Sequence, residues 1–312
     1  MTKIRHFLSI TDISKDELLS ILNLSAQLKK EIYDGKRNEE VLKNKSMLMI
    51  FEKPSLRTRV SFEIGMTQLG GHALYLAPAD IGMGTREEPR DVAAVVSRMG
   101  DIIMARTFKH STVEELAAHS KVPVINALSD LEHPCQILAD LLTIQEVKGT
   151  LQGLTITFLG DGNNNVTHTM ALAAGMLGID FRVGAPEGYF MDKDIVEKAK
   201  KFAAETGGSI TESANPEDMI KDADVVVTDT WVSMGDEAEK AERLRIFPPY
   251  QVSEAMMKLA KKDAIFMHCL PAYRDKEVAA SVLDGPQSVA YQEAENRLHA
   301  QKGLIVWLMN HE

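Results

Sequence analysis

The sequence is poor in cysteine: Cys135 and Cys269 are the only two among 312 residues. Secreted domains held together by disulfides carry more, so a cystine scaffold is excluded, and the low count is typical of a reducing cytoplasm. Long apolar runs are also missing, since none approaches the ~18 residues that a membrane-spanning helix needs. The opening segment lacks the apolar core of a signal peptide. We therefore expect a cytoplasmic protein with no membrane partner.

An excess of positive charge is absent as well. The chain has 35 Lys and Arg against 45 Asp and Glu, and the net charge of −10 opposes nucleic acid as a partner. Apolar residues make up 45% of the chain and charged residues 26%, which is the balance of a folded globular protein. At ~150 residues per domain, the length predicts about two domains.

Short apolar runs alternate with helical patterns along most of the chain, as in βαβ units. The runs span 46–51, 72–77, 101–106 and 123–128 in the first half, and 154–160, 180–186, 209–214, 224–231 and 264–271 in the second. The sequence therefore predicts an α/β fold with two doubly wound domains, each a mostly parallel sheet flanked by helices. In such sheets, ligands bind at the carboxyl ends of the strands.

A glycine-containing segment around 149–153 separates the two patterns. We predict a first domain over 1–148 and a second over 149–287, with a closing helix in 288–312 that packs back on the first domain. A further helix is predicted near 250–262.

The segment 51–63, FEKPSLRTRVSFE, has Ser55, Arg57 and Thr58 where a strand ends and a helix begins. The first N–H groups of a helix bind anions, and a guanidinium adds hydrogen bonds of ~1.5–3 kcal/mol each. The segment therefore predicts a phosphate or carboxylate site. The alternative is a serine N-cap followed by two arginines, Arg57 and Arg59, that face solvent.

A second motif, His133-Pro-Cys-Gln136, begins a helix directly after the strand at 123–128. Pro134 fits the first helical turn. His133 could donate to a carbonyl oxygen that gains negative charge, and Gln136 offers both a donor and an acceptor. The alternative is a capping histidine followed by a buried structural cysteine, Cys135.

A carboxylate and a thiol end two strands of the second half. Asp229 follows DVVVT and precedes a polar, glycine-containing loop, which suits a substrate amine beneath a lid. The alternative is that 236–245 forms a charged surface helix. Cys269 ends the run AIFMH, where a buried structural cysteine is the default.

Two cofactor signals are incomplete. The segment from Gly160 to Asn165 resembles the dinucleotide fingerprint G-x-G-x-x-G, but Asn165 replaces the third glycine. The histidines and cysteines at 133, 135, 268 and 269 lack the spacing of common zinc ligands. A nicotinamide dehydrogenase and a non-catalytic anion-binding protein stay as alternatives, whereas Asn165 could instead hold a zwitterion's carboxylate or amine.

These segments, in this order and over nearly the whole chain, resemble the aspartate/ornithine carbamoyltransferase family. The motifs that carry the resemblance are the family's S-T-R-T-R as Ser55-Leu56-Arg57-Thr58-Arg59, its H-P-x-Q as His133 to Gln136, its ornithine-specific D-x-x-x-S-M-G as Asp229, Ser233, Met234 and Gly235, and its H-C-L-P as His268 to Pro271. Arg106 in ARTF, Asn165, and Arg297 in EAENR match three further binding residues of the family.

The resemblance implies transfer of the carbamoyl group of carbamoyl phosphate to the side-chain amine of L-ornithine, giving L-citrulline and phosphate. A sister enzyme acting on putrescine or another amine is the alternative. The catalytic residues that it implies are Asp229, Cys269, Arg106 and His133. The implied carbamoyl-phosphate site comprises Ser55, Leu56, Arg57, Thr58, Arg106, His133, Gln136, Cys269, Leu270 and Arg297. The implied ornithine site comprises Asn165, Asp229, Ser233 and Met234.

The resemblance further implies no cofactor, no metal, and a homotrimer with active sites at subunit interfaces. Two positions depart from the family pattern. Leu56 replaces the usual threonine, which removes a hydroxyl but keeps the backbone N–H. Gly82 stands where many relatives carry a phosphate-binding glutamine that serves the neighbouring subunit, and Arg86 is a candidate to replace it.

Overall fold

The structure, a computed structural model, describes residues 4–232 and 237–310. The chain divides into two compact units, the first formed by 1–142 with 295–312 and the second by 143–294. Each unit contains one parallel β-sheet with helices in its crossover connections. The prediction of an α/β fold with two doubly wound, helix-flanked sheets is confirmed.

The sheet of the first unit has four parallel strands in the order β2-β1-β3-β4. The strands are β1 Ser46–Phe51, β2 His72–Leu76, β3 Ile102–Arg106 and β4 Val124–Leu128. The helices are α1 Lys15–Tyr33, α2 Leu56–Gln68, α3 Pro78–Ile81, α4 Pro89–Val96 and α5 His110–His119, with a 3₁₀ turn at Ile10–Asp12. Every residue of β3 and β4 is buried, as expected for parallel strands covered on both faces.

Helix α1 shows how local sequence sets these elements. The Ser14 hydroxyl accepts from Glu17 N at 3.2 Å, and Glu17 Oε2 accepts from Ser14 N at 2.8 Å, which forms a capping box. Leu18, Ile21 and Leu22 then repeat at helical spacing and are fully buried. The helix therefore begins at its cap and packs its apolar stripe inward.

The sheet of the second unit has five parallel strands in the order β7-β6-β5-β8-β9. The strands are β5 Thr155–Leu159, β6 Asp180–Gly184, β7 Ser209–Ser213, β8 Val225–Thr228 and β9 Ile265–His268. The helices are α7 Asn165–Leu177, α8 Lys193–Thr206, α9 Pro216–Ile220, α10 Lys240–Ile246, α11 Glu254–Met257 and α12 Ala280–Leu283, with 3₁₀ turns at Glu237–Glu239 and Pro248–Tyr250. Helix α6, Pro134–Lys148, lies between β4 and β5 in the chain.

Two helices contain the points at which the chain passes from one unit to the other. They are α6 and the closing helix α13, Ala290–Met309. The closing helix predicted from the pattern is thus present. None of the described helices has both the length and the apolar composition to cross a membrane.

The helix predicted near 250–262 is wrong. Only the single turn of α11 forms there, capped by Ser253, whose hydroxyl accepts from Met256 N at 3.3 Å. Just before it, Val252 pairs with the chain near Val278 as an isolated β-bridge. Just after it, Lys261 N donates to Ala223 O at 3.0 Å. These backbone bonds to residues distant in sequence replace helical bonds at both ends of the segment, so one helical turn forms between them.

Candidate active site

Each sheet has one point where the strand order reverses, and doubly wound folds bind ligands outside the carboxyl ends of the strands at such points. In the first unit the reversal lies between β1, which leads to Ser55, and β3, which ends at Arg106. In the second unit it lies between β5, which leads to Asn165, and β8, which leads to Asp229. Four predicted site residues therefore stand at the two reversal points.

The N-terminus of α2 is built around Ser55. Its backbone is extended, its hydroxyl accepts from Thr58 N at 3.4 Å, and it also contacts Thr58 Oγ1 at 3.0 Å. Ser55 is therefore the N-cap of the helix. Leu56, the first helical residue, is 75% exposed, and a backbone N–H at this position of a helix can bind an anion.

Thr58 is fully buried, and its hydroxyl is the meeting point of three segments of the first unit. Arg106 Nη1 lies 3.5 Å from Thr58 Oγ1, and Arg297 Nη2 lies 3.4 Å from the same atom. Arg297 Nη1 also donates to Gln136 Oε1 at 2.8 Å. Both arginines are more than nine-tenths buried. The structure thus brings together Ser55, Thr58, Arg106, Gln136 and Arg297, which are far apart in the sequence.

His133 directly precedes α6 and is buried beside this cluster. Burial holds the pKa of His133 well below its ordinary value, and the charges of Arg297 and Arg106 lower it further. The imidazole is therefore neutral near pH 7. A neutral ring carries one N–H, which can donate to a carbonyl oxygen without adding a mobile charge.

Lys53 belongs to the same cationic group although no motif pointed to it. It is 9% exposed, its Nζ lies 5.1 Å from the centre of the Phe108 ring, and its charge also lowers the pKa of His133. The sequence signal was a lysine two residues after a buried strand, in Phe51-Glu-Lys-Pro-Ser55. The cluster therefore has one more fixed charge than the sequence motifs indicated.

The two arginines of α2 have different surroundings. Arg59 Nε donates to Glu63 Oε2 at 3.0 Å, and its guanidinium lies 4.0 Å from the centre of the Tyr75 ring. Arg57 is partly buried, and its charge acts on His133. The alternative of a surface arginine thus describes Arg59 and not Arg57.

Cys135 has a structural environment. It is fully buried, and its thiol donates to Asn126 O at 3.4 Å. Burial raises the pKa of the Cys135 thiol to about 12. A thiol that stays protonated at neutral pH and does not meet solvent is inert toward nucleophilic chemistry.

The second unit brings Asp229 and Cys269 together. They follow the adjacent strands β8 and β9, and Cys269 Sγ donates to Asp229 Oδ1 at 3.2 Å. Thr230 N donates to the same oxygen at 2.7 Å. Burial raises the pKa of Asp229, partly opposed by the hydrogen bonds from the Thr230 N–H and the Cys269 thiol. A raised pKa makes this carboxylate a better proton acceptor than an exposed one.

His268, the residue before Cys269, is fully buried. Its Nδ1 accepts from Leu270 N at 2.9 Å, and its Nε2 lies 3.2 Å from Glu277 Oε1. Asp229, His268 and Cys269 each bring one ligand atom within 4.8 Å of the others, a spacing that could suit a metal. Both ring nitrogens already have partners, however, so the trio favours a hydrogen-bonded site. The Leu270 N–H is used in this contact and is therefore not a second donor for a substrate oxygen.

Asn165 begins α7, but the cap of that helix is its neighbour. Asn164 Oδ1 accepts from Val166 N at 2.8 Å and from Thr167 N at 2.9 Å. The partly exposed side chain of Asn165 is therefore not the capping group. Gly162 in the same loop is required by packing, because a Cβ there would lie 2.7 Å from Tyr189 O. The incomplete dinucleotide fingerprint thus has a structural explanation.

The polar segment after Asp229 contains a helix whose central charge is buried. Arg243 of α10 forms an ion pair with Asp161, and its Nη1 donates to Trp231 O at 3.1 Å. The alternative predicted a charged surface helix over 236–245. A helix does form in this segment, but its Arg243 is buried rather than exposed to solvent. Ser233 and Met234, both predicted to contact ornithine, lie outside the described residues.

The segment that departs from the family pattern ends α3. Gly82 has φ +63°, a left-handed conformation that glycine adopts without strain. Arg86 Nη2 donates to Asp80 O at 2.6 Å, so its guanidinium contacts its own loop. A role for Arg86 toward a neighbouring subunit stays a prediction.

Two family models match the chain. Residues 5–146 match the carbamoyl-P binding domain of aspartate/ornithine carbamoyltransferase, and residues 152–308 match its Asp/Orn binding domain. An ornithine carbamoyltransferase of Anoxybacillus flavithermus is 51% identical over 98% of this chain and 96% of its own length. One from Archaeoglobus fulgidus is 49% identical over 99% of this chain and 98% of its own.

Solved structures agree with these sequence matches. The ornithine carbamoyltransferase of Pyrococcus furiosus has a TM-score of 0.95 and is 48% identical. The match covers 98% of this chain and 97% of the Pyrococcus chain. The anabolic ornithine carbamoyltransferase of Campylobacter jejuni has a TM-score of 0.93 and is 41% identical. The match covers 99% of this chain and 100% of the Campylobacter chain. The similarity therefore extends over both units.

Proposed function

Because the chain belongs to the aspartate/ornithine carbamoyltransferase family, we propose that it transfers the carbamoyl group of carbamoyl phosphate to the side-chain amine of L-ornithine. The products are L-citrulline and phosphate. Curated relatives near 50% identity carry the ornithine enzyme's name, which favours ornithine over putrescine or another amine.

The observation that carries the proposal is the buried cationic cluster of the first unit. Arg106 and Arg297 meet at one hydroxyl, that of Thr58, and stand beside the neutral His133. Fixed positive charges with hydroxyl donors suit a phosphate dianion, and a neutral imidazole donor suits a polarised carbonyl. Carbamoyl phosphate contains both groups in one small molecule.

The phosphate end binds at the start of α2. Ser55 and Thr58 give direction through their hydroxyls, Leu56 gives a backbone N–H, and Arg57 supplies charge. The guanidinium is the stronger contributor, since a hydrogen bond to a charged group contributes ~1.5–3 kcal/mol and the helix dipole only ~0.3–1.

The carbonyl oxygen is held by Arg106 and His133. Attack of the amine on the carbonyl carbon forms a C–N bond and pushes negative charge onto this oxygen in a tetrahedral intermediate. The C–O bond to phosphate then breaks, and phosphate leaves with the bonding electron pair and takes up the second proton that the attacking nitrogen loses. Donors fixed before the reaction stabilise that charge most in the transition state, which raises turnover rather than ground-state binding. Gln136 and Arg297 complete the site, and the carbonyl of Leu270 can accept from the carbamoyl NH₂.

The amine is activated by Asp229 and Cys269. A side-chain amine with a pKa near ~10.4 is only about one part in a thousand neutral near pH 7.4, a penalty of roughly 4 kcal/mol. Because burial raises the pKa of Asp229, its carboxylate can bind the ammonium and take a proton from it. Cys269, hydrogen-bonded to that carboxylate, orients it.

The proposal also assigns the two domains, the contacts to ornithine and the assembly. The carbamoyl-phosphate domain spans 1–148 with the helix in 288–312, and the ornithine domain spans 149–287. Asn165, Ser233 and Met234 bind the amino-acid end of ornithine. The enzyme is a cytoplasmic homotrimer with sites at subunit interfaces. Its low cysteine content supports a reducing compartment.

A side-by-side assay tests the function. Purified protein with carbamoyl phosphate is offered ornithine, putrescine, aspartate or acetylornithine, and both the carbamoylated product and phosphate are measured. We expect citrulline and phosphate in equal amounts with ornithine and at least about a hundredfold lower kcat/KM with the other amines. Faster turnover of putrescine would assign the sister activity, and phosphate binding without product would assign an anion-binding protein.

A further inference from the structure

A buried acidic side chain supports the turn that carries Cys269. Glu277 is 1% exposed and is not among the residues that the sequence indicated for the site. Its Oε1 lies 3.2 Å from His268 Nε2 and also accepts the backbone N–H of Tyr273. Because His268 is fully buried too, the contact between the two side chains is shielded from bulk water.

The contact on the other side of the ring determines where His268 carries its proton. Leu270 N donates to His268 Nδ1 at 2.9 Å, which requires that nitrogen to be unprotonated. A neutral imidazole then carries its proton on Nε2, and a buried N–H requires an acceptor. Glu277 Oε1 is that acceptor, so it selects the tautomer that lets His268 hold Leu270.

Leu270 depends on this contact because its own backbone conformation is unfavourable. Its φ of +57° lies in the left-handed region, which side chains other than glycine rarely adopt. Cys269 is the preceding residue, and its Sγ donates to Asp229 Oδ1 at 3.2 Å. If Leu270 relaxed to negative φ, the thiol would move relative to the carboxylate.

A second contact holds only the entry to the turn. Glu293 Oε2 accepts from the backbone N–H of His268 at 2.8 Å, and Glu293 is itself 1% exposed. This bond fixes where β9 ends but does not distinguish the two tautomers of the ring. The orientation of Cys269 and Leu270 therefore depends on the side-chain contacts of His268.

We infer that Glu277 is a positioning residue for the transfer reaction, acting through His268 and Leu270 to hold Cys269 against Asp229. This inference rests on the proposed function for its kinetic consequence but not for its structural one. Glu277 acts as a hydrogen-bond acceptor, so the position of its oxygen matters more than its charge.

Three variants separate acceptor, charge and packing. Glu277→Gln keeps an oxygen at the same reach, and the two N–H donors around it orient the amide. Glu277→Asp keeps the charge but withdraws the oxygen by one methylene. Glu277→Leu removes the acceptor at similar volume. Val278→Ala is the matched control, because it weakens the packing of a fully buried neighbour in the sequence without changing the Glu277 carboxylate.

The expected kinetics rank these variants in an order that stability alone would not produce. Glu277→Leu lowers kcat by up to about a hundredfold, since misplacement of a reacting group by about 1 Å costs that much. Glu277→Asp falls between, whereas Glu277→Gln stays within about threefold of the parent, the difference between a charged and a neutral hydrogen bond. The loss is expected mainly in kcat, with a smaller rise in the KM for carbamoyl phosphate because Leu270 also belongs to that site. Val278→Ala changes the melting temperature without changing kcat.

Alkylation of Cys269 by iodoacetamide gives a readout independent of the reaction. Cys135 does not interfere, because it is fully buried and burial raises the pKa of its thiol to about 12. Loss of the bond to Asp229 frees the thiol for reaction, so Glu277→Leu and Glu277→Asp alkylate about tenfold faster than the parent and Glu277→Gln, the cost of about one hydrogen bond to a charged group.

Two results would overturn the inference. One is a folded Glu277→Leu protein with the parent's kcat and alkylation rate. The other is a Glu277→Gln protein as impaired as Glu277→Asp, which would show that the charge matters as much as the position of the oxygen. That comparison holds even if the leucine variant does not fold. A parent protein that makes no citrulline would contradict the proposed function alone, since the alkylation order still tests the role of Glu277.

Discussion

The two units hold their functional groups in different ways. In the first unit, buried arginines from separate segments converge on Thr58, and their charges do not titrate near neutral pH. In the second unit, Asp229 and Cys269 are partly exposed, lie at adjacent strand ends, and are both titratable. One group is built to keep a constant charge and the other to exchange a proton.

This difference matches two separate chemical demands. Binding a dianion and stabilising an oxyanion require donors whose charge and position do not change during the reaction. Activating a protonated amine requires a group that accepts a proton near the working pH, which burial of Asp229 favours. The fixed charges belong to one unit and the proton-accepting carboxylate to the other, so a change in one group should leave the other's task largely intact.

The largest expected effect separates two arginines of the first unit. Arg57→Ala should lower kcat/KM for carbamoyl phosphate about a thousandfold, because it removes about two charged hydrogen bonds of ~1.5–3 kcal/mol each. Arg59→Ala is the control and should change it by less than about twofold, since Arg59 contacts Glu63 and Tyr75 and an exposed ion pair contributes little. Equal losses would show that the two surroundings do not matter.

Acid should weaken the first unit before the second. Burial lowers the pKa of His133 well below its ordinary value and that of His299 to about 4. Between pH 6.5 and that lower value the unfolded chain takes up protons that the folded chain refuses, so stability falls by about 2 kcal/mol for each histidine by pH 5. In the second unit burial raises the pKa of Asp229 and Glu212, and falling pH favours their folded, protonated forms.

Hydrogen exchange at pH 7, 6 and 5, corrected for intrinsic rates, measures this contrast. Protection in β3 and β4 should fall before protection in β5 and β8. His299→Gln should remove about half of the acid sensitivity of the first unit, because it leaves one of the two buried histidines. Simultaneous loss of protection in both sheets would contradict the separation.

The smallest expected effect concerns the support of Arg297. Gln301 is fully buried, accepts from Arg297 Nε at 3.0 Å, and donates to Ser61 Oγ at 2.8 Å. Gln301→Leu should raise the KM for carbamoyl phosphate about tenfold, the cost of one lost hydrogen bond to a charged group, with kcat nearly unchanged. Gln292→Leu, on the same helix but contacting Glu146, should have no effect on this KM. A fall in kcat instead would link Gln301 to the second unit's task.

The parts of the fold that were predictable are those decided by neighbouring residues. The strand at 46–51 and the helix at 165–177 have the bounds that their apolar runs and flanking polar or glycine residues indicate. The helix near 250–262 failed because Val252 and Lys261 are held by backbone partners distant in sequence. Local periodicity does not contain that information.

The residues of the candidate site also fall into those that the sequence predicted and those that it did not. Ser55, Arg57, His133 and Asp229 stood out because each follows a strand and carries chemistry. Lys53, Gln301 and Glu277 did not, because each acts through side-chain contacts that only the folded chain creates. Gln301, for example, bonds Ser61 across 240 positions. Motifs therefore reveal the groups that meet substrate more readily than those that hold them in place.

The most direct test of the division of tasks is one variant measured in two ways. For Asp229→Ala, the dissociation constant of carbamoyl phosphate is measured by calorimetry and kcat by citrulline formation on the same preparation. We predict a kcat about a thousandfold lower, as for loss of a proton acceptor, with carbamoyl phosphate bound within about twofold of the parent. Equal losses in turnover and in carbamoyl-phosphate affinity would contradict the account.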